Sequence, residues 1–360
     1  MKFNRVAIAA VGYVLPSEVL TSEQLENRLE PLYHRLNLPV GRLELMSGIR
    51  ERRLWPLNTR IAEPSIQSGR LAMNAAGIDP KSIGCLIHAS VCRDYLEPAT
   101  ACGVHHALGL PSDAWVYDVS NACLGIMNAT MQIAMMIEAG VIHAGIAVGT
   151  ENARGLIEAT IAQLNGDQSL TRQSIKLAFA SLTIGSGSCA WLLVDREQFG
   201  VSGALHSVVA HANTAENALC QSDTDQAGGA MQPLMNTDSE KLLEMGIATG
   251  AAAFEKLERE LPWAKSDIRA TVCHQVGSTH RRLMLDQLGL PIERDFATFE
   301  YLGNTGSVAL PTALGEGLFT NQIADPSRTV LMGIGSGINS VMIAADLTGT
   351  IAARETTQVK

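Results

Sequence analysis

The chain reads as a layered α/β protein made of two related halves, and three observations predict it. Strand-like apolar runs alternate with helical periodicity along most of the 360 residues. TIGSGSCAWLLVD (183–195) parallels GIGSGINSVMIAAD (333–346), each a glycine turn leading into an apolar strand. IGCLIHASV (83–91) parallels IRATVCHQV (268–276), each a short helix followed by a buried strand. The later pair is offset by about 150 residues and the earlier by about 185, so the first half carries roughly 30 extra residues, placed within 153–180 as a helical cap. The division falls near the polar connector DREQFG, giving halves 1–197 and 198–360.

Each element has its own local signal. VAIAAVGYVL (6–15) follows the basic start MKFNR and superficially resembles a secretory signal. Its closure by Gly12, Tyr13 and Pro16, without a small-x-small cleavage site, predicts a buried strand instead. In TSEQLENRLEPLYHRL (21–36), Thr21 and Gln24 stand at capping-box spacing, and Leu25, Leu29, Leu32 and Leu36 share one face of a single helix. EPSIQSGRLAMNAAG (63–77) is a second helix, ended by Gly77. WVYDV (115–119) is a strand, and the apolar helix over 123–137, interrupted by Asn128 and Gln132, is too short to span a membrane. A further helix covers 239–261, loosened by Gly246 and Gly250, and the polar segment 211–238 is expected as a long surface loop.

Composition bounds the function. With 46% hydrophobic residues the chain can bury two large cores or two halves sharing one interface. A net charge of −9 without a basic stripe argues against a nucleic-acid partner. Seven cysteines, an odd number with no C-x-x-C pair, argue against a disulfide framework or a zinc site and fit the reducing cytoplasm.

Cys123 follows WVYDV and opens the run CLGIMNATMQIAMMI. A thiol at a helix N-terminus sits among unpaired N–H groups that favour the thiolate, although most free cysteines at such junctions are inert core residues. Two distant segments bear on it: His274 in CHQVGSTH and Asn304 in YLGNTGS, each expected just past a strand. Taken singly, His274 reads as a satisfied buried histidine and the Asn-Thr-Gly-Ser string as a turn or cap. Together, a nucleophile and two neutral N–H donors on three loops can divide the work of acyl transfer.

Through GIRERR (48–53), DVSNACLG (118–125), HQV (274–276), GNTGS (303–307) and GIGSGIN (333–339), in that order, the chain resembles the thiolase superfamily in its β-ketoacyl-ACP synthase III branch. RRLW (52–55), SVCRDYLEPATA (90–101) and the H-Q-V-x-x-x-H string are similar to the OleA-type condensing enzymes of that branch, which join two fatty acyl-CoAs head to head. The resemblance implies a duplicated five-layer α-β-α-β-α architecture and an acyl-Cys123 intermediate. It further implies an oxyanion hole from the backbone N–H groups of Cys123 and Ile334, with His274 and Asn304 holding the second thioester. Substrates would be acyl-CoA or acyl-ACP, and no cofactor or metal is needed. The 153–180 insert would line the acyl tunnel. Glu97, 26 residues before Cys123, stands where the synthase III pattern is apolar. There it would act as the base, delivered to the partner's tunnel in a homodimer.

Three readings remain open at this level. They are a non-decarboxylative acyl-CoA condensing enzyme, a decarboxylating β-ketoacyl synthase using malonyl-ACP, and a non-catalytic partner subunit of a condensing heterodimer, disfavoured because all three catalytic positions are filled. A papain-like hydrolase is excluded by the missing tryptophan-bearing cysteine motif. GIGSGIN lacks the second cysteine of thiolases proper. Arg42 and Met46 replace the Trp and Arg of the synthase III coenzyme clamp, and His280, Arg281 and Arg282 form a basic cluster where a carrier would dock.

Overall fold

The computed structural model describes residues 1–222 and 235–356. Ten strands make the two main sheets: β1 Val6–Leu15, β2 Cys85–Ala89, β3 Trp115–Val119, β4 Ala144–Glu151, β5 Gly187–Asp195, β6 Ala204–Ala212, β7 Ala270–Cys273, β8 Thr329–Gly335, β9 Asn339–Asp346 and β10 Ile351–Thr356. The first sheet has the order β10-β1-β5-β4-β2-β3 and the second β7-β8-β9-β6. The repeat is visible in the pairing. β2 runs parallel to β4, β4 antiparallel to β5 and β5 antiparallel to β1; β7, β8, β9 and β6 repeat that succession. Where β3 lies parallel to β2, the second sheet has a single parallel bridge between Thr271 and Asp295.

The sheets are sandwiched in five layers, as the resemblance implied. Strand β5 shows why. Trp191 and Leu193 face the core between the sheets while Leu192 and Val194 face the outer helices, so both faces of a period-two strand are apolar. The helices Gly125–Glu138 and Ala309–Phe319 fill the centre, placing Ile126, Met127 and Leu314 against Ile87, Leu331 and Ile343. Helices Ala62–Ala76 and Thr100–Leu108 cover the first sheet, and Ser239–Glu258 and Ser278–Leu288 cover the second. Gly250 does not loosen its helix. A Cβ there would stand 2.5 Å from Met284 Cε and 2.9 Å from Ile334 Cδ1, so the glycine permits close packing on the next helix and on β8.

Other sequence expectations need correction. The capping box at Thr21 forms, but the helix divides at Leu29 into Ser22–Arg28 and Glu30–Leu36. Pro31 is the cause, since it has no N–H for the Asn27 carbonyl and suits the first turn of a new helix. Both pieces pack on the helix Arg154–Gly166 of the insert through Leu25, Leu32, Ile157 and Ile161. The segment 211–238 is not all loop. It begins with the end of β6, and Cys220–Ser222 pairs antiparallel with Met235–Thr237; its middle lies outside the described residues. The last strand, β10, returns to pair with β1 in the first sheet. No helix among the described residues is long and apolar enough to cross a membrane.

Candidate active site

The nucleophile sits on a sharp elbow. β3 ends at Val119, Ala122 takes a φ of 44°, and the helix starts only at Gly125, so Cys123 stands two residues before the helix rather than opening it. Positive φ at a residue with a Cβ is uncommon and is held here by its surroundings. Leu124 donates to Asn121 O at 2.9 Å, and the Asn121 side chain is clamped between Asn128 Oδ1 at 2.8 Å and Asn339 Nδ2 at 3.2 Å. A Cβ on Gly125 would lie 3.3 Å from the Cβ of Ser307, and one on Gly335 would lie 3.3 Å from the Cys123 amide nitrogen. These contacts bring the elbow, the end of β8 and the Asn304 loop to one place.

The thiol is not activated by its position alone. Burial pushes Cys123 up to about 12, with the Glu151 carboxylate and then Cys220 adding to the shift. Desolvation and a nearby negative charge therefore outweigh the helix terminus on which the sequence-based expectation of a thiolate rested.

His274 follows β7 as expected and is buried. Its backbone N–H donates to Met332 O at 3.0 Å, which ties it to β8. Burial, with His280 adding, holds it down to about 3, so the ring is neutral and offers one N–H. Gln275 sets the loop: its Nε2 donates to Cys273 O at 2.6 Å, and its Oε1 accepts from Thr298 N at 2.7 Å and Phe299 N at 3.2 Å.

Asn304 comes after the short helix Phe299–Leu302, not after a strand. Its backbone bridges to the segment before β5, receiving the Gly185 N–H at 2.9 Å and donating to Thr183 O at 3.0 Å. Its Oδ1 accepts the Gly306 N–H at 3.0 Å.

The basic cluster after His274 is not free. His280 is buried and pushed down to about 4, Arg281 Nε donates to Asp295 Oδ2 at 2.7 Å, and Arg282 pairs with Asp286 at 3.6 Å. Arg42 lies 5.5 Å over the Phe179 ring, while Met46 is exposed. Ile334 packs its side chain toward the helix Ser239–Glu258, and the next residue, Gly335, comes close enough that a Cβ on it would lie 3.3 Å from the Cys123 amide nitrogen. Glu97 does not lie with Cys123, His274 and Asn304 in the interior. It is exposed, with Tyr95 and Leu96 exposed beside it. Sequence reasoning missed Glu151 and Ser307, both buried under the elbow, although a carboxylate closing the fully buried strand AGIAVGTE was a visible signal.

The model of the 3-oxoacyl-[acyl-carrier-protein] synthase III C-terminal domain matches residues 259–345. An acyl-CoA:acyl-CoA alkyltransferase of Shewanella oneidensis is 34% identical over 347 residues, spanning 95% of this chain and 99% of that protein. The chain is a condensing acyltransferase of the synthase III and OleA family. Crystal structures of Xanthomonas campestris OleA resemble this condensing enzyme with a TM-score of 0.89 at 30% identity, covering 96% of this chain and 98% of that one. One of them holds lauric acid and lauroyl-CoA. A β-ketoacyl-[acyl-carrier-protein] synthase III of Koribacter versatilis is 24% identical over 94% of the chain and 96% of that protein.

Proposed function

We propose that this condensing enzyme joins two acyl-CoAs head to head without decarboxylation. The observation that carries the reading is the carboxylate of Glu97, 26 residues before Cys123. The positions substituted in the Xanthomonas OleA structures include a cysteine and a glutamate 26 residues apart, along with a histidine.

In this mechanism Cys123 Sγ attacks the first thioester carbonyl, the bond to the coenzyme A sulfur breaks, and that sulfur leaves as the thiol with the proton Cys123 gives up. The developing oxyanion meets the Cys123 N–H and a second N–H from the end of β8, read from the sequence as Ile334. Glu97 then removes the α-proton of the second acyl-CoA. The N–H groups of His274 and Asn304 hold the resulting enolate oxygen. The α-carbon attacks the acyl-enzyme carbonyl, the bond to the Cys123 sulfur breaks, a β-ketoacyl-CoA is formed, and the proton taken by Glu97 passes to solvent as the Cys123 thiolate takes one up. A neutral His274 suits this role, because a donor that does not titrate near neutrality loses nothing to solvent protons.

We also propose a homodimer. β3 is one of the two edges of the first sheet, and its Trp115 is 58% exposed. An apolar open edge asks for a partner strand, and a second copy would supply it with the 91–98 loop reaching across. The halves 1–197 and 198–360, the tunnel role of the insert and a cytoplasmic setting belong to the same proposal. The synthase III match over 259–345 favours a second reading, decarboxylating condensation with a malonyl donor. Incubating the protein with lauroyl-CoA alone tests the first reading: a β-keto product of two lauroyl chains supports it, and acylated protein without that product counts against it.

A further inference from the structure

Glu151 closes β4 with its side chain under the elbow, 5% exposed, and the reaction above gives it no chemical step. Its Oε1 accepts the Val91 N–H at 3.0 Å, the Ser307 N–H at 3.3 Å and the Ser307 hydroxyl at 2.6 Å; its Oε2 accepts the Cys92 N–H at 3.3 Å. A buried carboxylate is tolerated when donors surround it, and here the donors come from two loops that are far apart in sequence.

Each loop leads to a group of the proposed reaction. On one side is Gly306, with a φ of 56° that favours glycine and a tight fit on the carboxylate, since a Cβ would lie 3.2 Å from Glu151 Cγ and 3.3 Å from its carboxyl carbon. The Gly306 N–H is the group that holds Asn304 Oδ1. On the other side Val91 and Cys92 are the root of the loop that ends in Glu97. That loop is pinned again by Asp94, whose carboxylate accepts Ile61 N at 2.6 Å and Ala62 N at 3.2 Å and whose N–H reaches Thr100 Oγ1 at 3.2 Å. The Glu151 carboxylate thus holds one end of each loop.

We infer that Glu151 is a positioning residue that fixes Asn304 and the root of the Glu97 loop against each other, so that one buried carboxylate sets both the enolate donor and the base. The inference rests on the proposed condensing reaction. It also has a consequence for the dimer: Glu151 of one protomer aligns Asn304 in its own site and Glu97 in its partner's. Acylation of Cys123 uses neither group, whereas condensation needs both at once, and misplacement by an ångström costs on the order of 10²-fold.

The test separates the two half-reactions in Glu151→Gln, which keeps the shape and one acceptor but puts an NH2 against backbone donors. With lauroyl-CoA, intact mass follows acylation of Cys123 and product analysis follows condensation. The expected result is acylation no slower than wild type, since the charge that raises the Cys123 thiol is gone, and condensation lowered about 10- to 100-fold. Ser307→Ala removes the hydroxyl contacts to Glu151 and to Ala89 O, keeps the Ser307 N–H on Glu151 and leaves the Val91 and Cys92 side intact, so it weakens the limb to Asn304 and is expected to fall between wild type and Glu151→Gln. Wild-type condensation in Glu151→Gln, or equal loss of both half-reactions, overturns the inference. If Glu151→Gln fails to fold, Ser307→Ala decides: selective loss of condensation supports the inference and an unchanged rate overturns it. Repeating the assay with malonyl-CoA as second substrate keeps the two claims apart. Wild type that turns over only with malonyl-CoA defeats the head-to-head reading, and selective loss of that turnover in Glu151→Gln still supports a role for Glu151 on Asn304, while no loss overturns it.

Discussion

The Gly306 amide holds Asn304 Oδ1 at 3.0 Å, so the side-chain amide is fixed with its acceptor occupied and its two N–H bonds left to offer. His274 is the matching neutral donor, kept so by burial. Both therefore suit an oxygen that becomes negative only when the second thioester is activated.

His274→Ala and Asn304→Ala are accordingly expected to acylate at Cys123 and to lose condensation by about 10² to 10³ in rate, the usual cost of one oxyanion donor. Stopped-time intact mass alongside product quantification reads the two steps. Normal carbon–carbon bond formation in either variant would contradict the role.

The nucleophile carries a pH signature. Because burial and the Glu151 carboxylate lift Cys123 to about 12, with Cys220 the other titratable group acting on it, its thiolate fraction grows about tenfold per pH unit below that value. Alkylation of Cys123 by iodoacetamide should rise in that proportion from neutral to mildly alkaline pH. A plateau near pH 7 would show an activated thiolate instead. Cys123→Ala and Cys123→Ser should take up no acyl group from lauroyl-CoA.

Much of this was legible before any coordinates. The paired strands around 183–195 and 333–346 disclosed the duplication, because a glycine turn followed by an apolar run survives as local pattern. Cys123, His274 and Asn304 were visible as residue types on loops. What the sequence hid depends on distant neighbours. The shift on the Cys123 thiol comes from burial first and then from Glu151, which is close only after β4 and the elbow pack together. The apparent basic cluster at 280–282 dissolved because Asp295, remote in sequence, takes Arg281. Leucines at helical spacing across 21–36 concealed the break at Pro31, where apolar periodicity and backbone chemistry disagree.

Acid should unfold the protein sooner than its net charge suggests. Burial lowers His88 and His280 to about 4 and His274 to about 3. Each is depressed below its unfolded value of about 6.5, so the unfolded chain binds the proton first. The stability from keeping these rings neutral is complete above about pH 6.5 and is lost as pH falls toward the folded values, by about 1.4 kcal/mol per histidine per pH unit. Asp295, whose carboxyl is raised by burial, opposes part of the loss at lower pH. Thermal melts should show Tm falling steeply between about pH 6.5 and 5, and a flat Tm over that range would contradict the buried neutral state.

The dimer has its own test. With a photocrosslinker carried on Glu97→Cys, the adduct should join two chains, and light scattering should give twice the monomer mass. A fully active monomer would remove the basis for a base delivered from the partner.

The account stands most directly on Glu97. Supplying lauroyl-CoA together with malonyl-CoA labelled at its free carboxyl, to wild type and to Glu97→Gln, measures both routes at once. The account predicts a product of two lauroyl chains and no labelled CO2 from wild type, with Glu97→Gln acylated at Cys123 and stalled before condensation. Strict dependence on malonyl-CoA, labelled CO2 with every turnover and an unimpaired Glu97→Gln would contradict it.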